Sequence, residues 1–418
     1  MESTRLRVKT GQWLLPRDGI DPAAWACVAC DQFTSQPEYW AEARVLVEEA
    51  PSALNVILPE CELADAPRSI PLIHAAMRQY LEQGVLRQAV RDGWILVERE
   101  LEGGTRAGLM VLLDLEGYDD QPGFGSLIRP TEGTVPERVP PRVRVRRGAE
   151  LELGHVLALL DDPQRSVVEP LYQKRLRMEK LYDFPLMLGG GRLAGYAVDN
   201  RMDIAAALQA LERLLEGIEE PKLLYAVGDG NHSLAAAKAF WEELRPTLPL
   251  PDRQTHPARY SMVELNNIHD SGVRFEPIHR AIFGASGNVM EGLQTIAGRL
   301  GISVSADRLQ GDILYIEENR ELWLTVSGPR HPLAIGALQE LLDEWVKETP
   351  GAVIDYIHGG TAARELVQRK KAIAFLLPPP DKRALFHAIR KGGVLPRKTF
   401  SMGEAHEKRY YMEARRLI

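Results

Sequence analysis

Leu223-Leu224-Tyr225-Ala226-Val227-Gly228-Asp229-Gly230-Asn231-His232-Ser233 is an apolar run that stops in a polar turn flanked by glycine. Its first residues predict a strand over 223–227. Leu234, Ala237, Trp241 and Leu244 then share one stripe of a predicted helix over 234–244. Strand, tight turn and helix in direct succession mark an α/β or mixed α+β chain. The first N–H groups of a helix have no intrahelical acceptor, and glycine lets an anion approach the backbone, so this turn is a candidate phosphate site. Asn231 or Ser233 is the expected N-cap. Asp229 is placed to hold Mg²⁺ or accept a proton, and His232 to contact phosphate or act as acid or base. The competing reading is a capped helix start whose polar residues serve only the turn.

Outward from this stretch, helices and strands interleave. Toward the N-terminus, helical patterns cover 37–49, 76–91, 150–160 and 204–218. Strands over 94–99 and 106–115, joined by Gly103-Gly104, form a hairpin. Arg142, Arg144 and Arg146 alternate with Val143 and Val145, which reads as the polar face of a strand. Residues 121–141 are rich in Pro and Gly, with Phe124, Leu127 and Ile128 arguing for an ordered loop. Pro246, Pro249 and Pro251 mark a boundary, which divides the chain into 1–248 and 249–418. The second part carries strand patterns over 258–265, 313–316 and 322–326, and helices over 289–300, 335–347, 362–370 and 382–391.

Composition excludes several classes. The 418 residues carry a net charge of −7, whereas nucleic-acid binders usually show a basic excess. No apolar run suits a signal peptide or a transmembrane helix, so the cytosol is expected, with no membrane partner. Cys27, Cys30 and Cys61 are too few for a disulfide framework. Cys27 and Cys30 have redox or zinc spacing, but no second Cys or His pair matches it. Walker, dinucleotide, zincin and nucleophile-elbow motifs are all missing from the sequence.

Three further segments combine chemistry-bearing residues. Arg129-Pro130-Thr131-Glu132-Gly133-Thr134 offers a carboxylate among hydroxyls, suited to a general base for a substrate hydroxyl. In Asp31-Gln32-Phe33-Thr34-Ser35-Gln36-Pro37, Ser35 is an expected N-cap with Glu38 at the capping-box position, which leaves Asp31 and Gln32 unexplained. Leu395-Pro396-Arg397-Lys398-Thr399-Phe400-Ser401 joins two cations and two hydroxyls in a loop suited to phosphate or carboxylate. His279 and His358 each stand at the end of an element.

These residues resemble a known family. Trp25-Ala26 with Ala29 to Trp40, Leu58-Pro59-Glu60, Gly228 to Ser233, Pro277-Ile278-His279-Arg280, Asp355 to Gly359 and Leu395 to Phe400 are similar to motifs of bacterial domain-of-unknown-function family 1015. The turn at Asp229 also resembles the phosphate-binding turn of the ParB/sulfiredoxin-like superfamily, which includes free-serine kinases. That resemblance implies a ParB/sulfiredoxin-like nucleotide-binding core with an additional C-terminal α/β unit. It implies that Gly228, Asp229, Gly230, Asn231, His232 and Ser233 hold phosphate and that Glu132 is the base. Asn231 stands where that turn has its first histidine, and Ser233 where it has arginine. Lys398, Thr399 or Arg280 would then supply the missing phosphate contact. Asp31, Gln32, Thr34, Arg129, Thr131, His279 and His358 are expected at the substrate.

The resulting expectation is a phosphotransferase for a small hydroxylated metabolite, serine or phosphoserine first. ATP, ADP or pyrophosphate would be co-substrate, with Mg²⁺ at Asp229. A non-catalytic nucleotide- or metabolite-binding regulator and a phosphomonoester hydrolase are the alternatives. The partner is a small molecule, and a homodimer is left open.

Overall fold

The computed structural model describes the whole chain except Cys30, Ser35, residues 120–124, 286–287, Asn319, Pro332 and Ile418. The expectations for Cys30, Ser35 and Phe124 lie outside the described residues. The fold is mixed α/β, as expected. By its contacts the chain divides into two compact units. The first comprises Met1–Pro130, Thr134–Arg274 and Gly403–Ile418; the second comprises Thr131–Gly133 and Phe275–Met402. The division therefore runs elsewhere than after Leu248, because the strand Tyr260–Asn267 is an interior member of the first unit's sheet. Among the described residues, no helix is long and apolar enough to cross a membrane.

The first unit is built on a long hairpin, Leu86–Leu101 against Gly104–Asp114, with Val97 opposite Gly108. Tyr260–Asn267 pairs antiparallel with its second strand, and Val156–Leu160 runs parallel beside that. Tyr225–Asp229 follows, antiparallel to Val156–Leu160, and Ile128–Pro130 lies parallel at the margin. On the other side, Gly11–Pro16 carries Ala414–Arg416, so the C-terminal segment returns into this sheet. Helix Asn231–Leu244 buries Leu234, Ala237 and Trp241, the residues whose spacing predicts it.

In the second unit the sheet order is Ser303–Asp307, Arg320–Ser327, Ile313–Glu317, Ile373–Leu376, Phe275–Phe283, Val353–His358. Helices Val289–Leu300 and Ala334–Glu348 share one core with this sheet, while Ala363 and Val367 of helix Gly360–Lys370 pack with Leu314, Ile316 and Ala374 in another.

Three local expectations are overturned. Residues Val139–Arg146 form a helix, not a strand. Pro140 and Pro141 preset its first turn, and Arg142 and Arg146, one turn apart, reach Glu60 and Glu152. Residues 150–160 are two strands, Leu151–Leu153 and Val156–Leu160. The second is buried at every residue, so no alternation marks it. The helix expected over 76–91 is Ala66–Glu82; Gly84, at φ +62°, ends the turn and Leu86 begins the hairpin.

Candidate functional site

Strand Tyr225–Asp229 loses register with Val156–Leu160 between Val227 and Asp229, so Gly228 falls at a bulge that re-aims Asp229. Gly230 follows at φ +79°, and a Cβ there would lie 3.1 Å from the Val156 Cα. Only glycine meets both conditions. Helix Asn231–Leu244 starts directly after it, with Gly230 itself as N-cap and no side-chain cap bond. Neither Asn231 nor Ser233 is therefore the N-cap that the sequence predicts. Both residues lie inside the helix, and the Ser233 and Leu234 amides donate to the Gly230 carbonyl, each at 3.0 Å.

Around this turn the first unit gathers a charged cluster. The Gly230 amide donates to Asp229 Oδ1 at 3.1 Å, and Lys408 Nζ stands 3.6 Å from Asp229 Oδ2. That ammonium is almost wholly buried. His155, also buried, links Ser233 Oγ at 3.0 Å through Nε2 and the Tyr411 hydroxyl at 2.9 Å through Nδ1. Burial pushes the His155 pKa down, against the pull of Asp31 and Asp229, so the ring is neutral. Burial works to raise Asp31, but the His155 ring beside it and the charges of Arg142 and Lys408 outweigh it and hold its carboxyl below the usual range. With His155 neutral, Arg142 and Lys408 are the standing cations. A cavity of about 120 Å³ opens beside His155, Ser233 and Tyr411, walled by Leu58, Met77 and Leu153.

The Asp31 loop reaches this cluster because Cys27–Val28 pairs with Tyr410–Tyr411 and the Ala29 amide donates to the Arg409 carbonyl. Gln32 donates to Asp31 Oδ1 at 3.3 Å, and Thr34 Oγ1 to the Asp31 carbonyl at 3.0 Å, so both shape the loop. His232 turns to other work: its Nε2 accepts the Val135 amide at 2.9 Å. An amide can only donate, so Nε2 carries no proton in this arrangement. Buried Arg129 donates to the Lys222 carbonyl at 3.4 Å, ahead of the start of strand Tyr225–Asp229 rather than at its Asp229 end.

Glu132 belongs to the second unit, where it ties a loop together. Leu395 donates its amide to the Thr131 carbonyl at 2.8 Å, and the Glu132 carboxylate accepts the Lys398 and Thr399 amides at 3.0 and 3.2 Å. Burial raises the Glu132 pKa despite those amides and the Lys398 charge. Thr399 Oγ1 donates to the Pro396 carbonyl at 2.6 Å. The Arg280 guanidinium donates to the Lys398 and Arg397 carbonyls at 2.8 and 3.3 Å and to Gln339 at 2.9 Å, so it braces this loop. The Lys398 side chain is exposed, as is His358, the last residue of its strand. His279 is adjacent to Arg280 on one strand and faces the opposite side of the sheet.

His155, Lys408 and Tyr411 were not foreseen. The signal present was the run Lys408-Arg409-Tyr410-Tyr411, charged and aromatic near the C-terminus. A protein-only Mg²⁺ site does not fit the turn: Asp229 supplies one carboxylate, and its oxygens face an amide and an ammonium. Among the described residues, no group of three or more His, Cys, Asp or Glu side chains is arranged to hold a metal.

Comparison with solved structures finds a free serine kinase in complex with AMP, at 13% identity and TM-score 0.40, covering 74% of this chain and 92% of that one. A conserved hypothetical protein from Pyrococcus furiosus is similar at 12% identity and TM-score 0.36, covering 73% and 94%. SbnI with C-terminal truncation from Staphylococcus aureus is similar at 12% and 0.37, covering 70% and 81%. No residue role is carried over from these likenesses. No curated protein matches. The family described as "Protein of unknown function (DUF1015)" matches residues 14–348, and this chain belongs to it.

Proposed function

We propose that the chain is a phosphotransferase for a small hydroxylated metabolite, with a phosphoryl group held at the Asp229–Ser233 turn. The observation that carries this reading is the buried Lys408 ammonium beside Asp229, at the uncapped start of helix Asn231–Leu244. A cation beside a helix start that has no side-chain cap favours a phosphoryl anion. Lys408, and not the expected Lys398, Thr399 or Arg280, is the residue this reading assigns to the phosphate. ATP, ADP or pyrophosphate is the proposed donor. Serine is the acceptor to try first, as the turn's resemblance implies, and the ParB/sulfiredoxin-like core remains part of this proposal.

In the step, the acceptor hydroxyl oxygen bonds to phosphorus while the bond from phosphorus to the donor's bridging oxygen breaks. The hydroxyl proton passes to a general base, the role that the turn's resemblance implies for Glu132, and the donor leaves one phosphoryl group shorter. A carboxyl with a raised pKa suits that role near neutral pH. Turnover of serine with each donor tests the assignment. Glu132→Gln is expected to cut kcat by about 10²–10⁴-fold with donor binding retained; full activity in that variant would remove Glu132 from the mechanism.

A second reading, a nucleotide- or metabolite-binding regulator, is favoured by two contacts. His232 Nε2 and both Glu132 oxygens are engaged by backbone amides. A donor-induced rise in melting temperature without product supports it. Phosphate release without any acceptor would instead mark a hydrolase.

A further inference from the structure

The second unit holds a helix start that the proposed phosphoryl transfer does not use. Helix Gly360–Lys370 opens after Gly359, which sits at φ +81°, and it has neither a side-chain cap nor an acidic residue in its first turn. The Ala363 amide returns to the Gly359 carbonyl, whereas the amides before it have no intrahelical acceptor. A Cβ on Gly359 would meet nothing within 4 Å, so the space over the helix start is open.

The second observation is His279. It is 5% exposed, and its Nδ1 accepts the Leu377 amide at 3.0 Å. Nδ1 is therefore the lone-pair nitrogen, and the neutral ring carries its proton on Nε2. Burial first, then Arg280 and His358, depress the pKa and keep the ring neutral. Nε2 faces the helix start: a Cβ on Gly360 would lie 3.6 Å from it. Among the described residues no acceptor stands on Nε2. A nearly buried donor thus points at a helix start whose first amides, among the described residues, have no backbone acceptor.

We propose that the Gly360 and Thr361 amides, with His279 Nε2–H, form a second oxyanion seat that takes a phosphate group. Donors arriving from two directions suit a tetrahedral oxyanion better than a planar carboxylate. The two glycines keep side chains out of its path. This seat stands independently of the Asp229 turn, and the two are told apart by their own amides.

The test is amide-resolved NMR on the full chain, titrated with inorganic phosphate in one arm and O-phosphoserine in the other. The Gly360 and Thr361 resonances should shift saturably in at least one arm. The phosphate arm then marks free phosphate, and an exclusive response to phosphoserine marks a phosphorylated metabolite. Gly360→Ala suits the helix, and its methyl group would crowd the seat. Affinity there should fall about tenfold, the scale of one lost hydrogen bond to a charged group. Still Gly360 and Thr361 resonances in both arms, or undiminished affinity in Gly360→Ala, would overturn the proposal whatever Gly230 and Asn231 do.

Discussion

Glu264 is 1% exposed, yet it faces two guanidinium groups, Arg409 Nε at 3.0 Å and Arg106 Nε at 3.7 Å. Asn266 adds a hydrogen bond at 3.1 Å, and Arg409 also meets Glu413. Such a network is expensive to break from one side, because the charges left behind stay out of water. Glu264→Leu should therefore cost ~3–5 kcal/mol in urea unfolding. Glu348→Ala removes one partner of the half-exposed pair with Arg299 and should cost less than about 1 kcal/mol. Equal losses would show that Glu264 is not the pivot of the buried set. The same scale explains what the sequence hid at the site. Asp31 and Asp229 stood out because each sits in a polar turn beside an apolar run. Lys408, His155 and Tyr411 did not, since their meaning depends on a chain return from the C-terminus that no local pattern encodes. Lys408→Met should weaken ADP binding in calorimetry by tenfold or more, about what one charge-assisted hydrogen bond supplies. Unchanged affinity would take Lys408 out of the phosphate's reach.

The turn between Tyr225–Asp229 and Asn231–Leu244 is held by one residue. Gly230→Ala meets both a positive φ and a 3.1 Å approach to Val156, so it should cost about 1–3 kcal/mol. Gly84→Ala has φ +62° and open space around the new methyl group, and should cost only about 1 kcal/mol. Chemical unfolding of both variants separates the steric part; a smaller loss for Gly230→Ala would contradict the close approach. Legibility at this scale followed periodicity. Helix Val289–Leu300 was readable to its ends because its apolar stripe keeps a 3.6-residue period between an asparagine cap and Gly301. Val139–Arg146 carries a strand-like pattern, Val and Arg alternating with period two, yet two prolines start a helix there. Val156–Leu160 was missed because a strand buried on both faces has no alternation to show.

For the whole molecule, the unforeseen division follows from chain paths that leave and re-enter a unit: Tyr260–Asn267 and Ala414–Arg416 both complete the first unit's sheet. Proline punctuation marks the local breaks at 246–251 but carries no information about such returns. Stability should depend on pH through His155 and His279, whose pKa values are both lowered, with burial the largest cause in each. An unfolded histidine titrates near about 6.5. Below that the unfolded chain binds more protons than the folded one, so stability falls as pH drops and rises as pH returns to neutral. Urea midpoints measured from pH 7.5 to 5 should decline, and His155→Gln should flatten the slope. A midpoint that rises on acidification would contradict the buried neutral rings.

The most direct test of the central claim is a crystal structure of the full chain soaked with ADP and Mg²⁺. The account predicts phosphate oxygens within hydrogen-bonding distance of the amides that open helix Asn231–Leu244 and of Lys408 Nζ. A nucleotide bound with its phosphates away from that turn, while the Lys408–Asp229 pair stays closed, would contradict it.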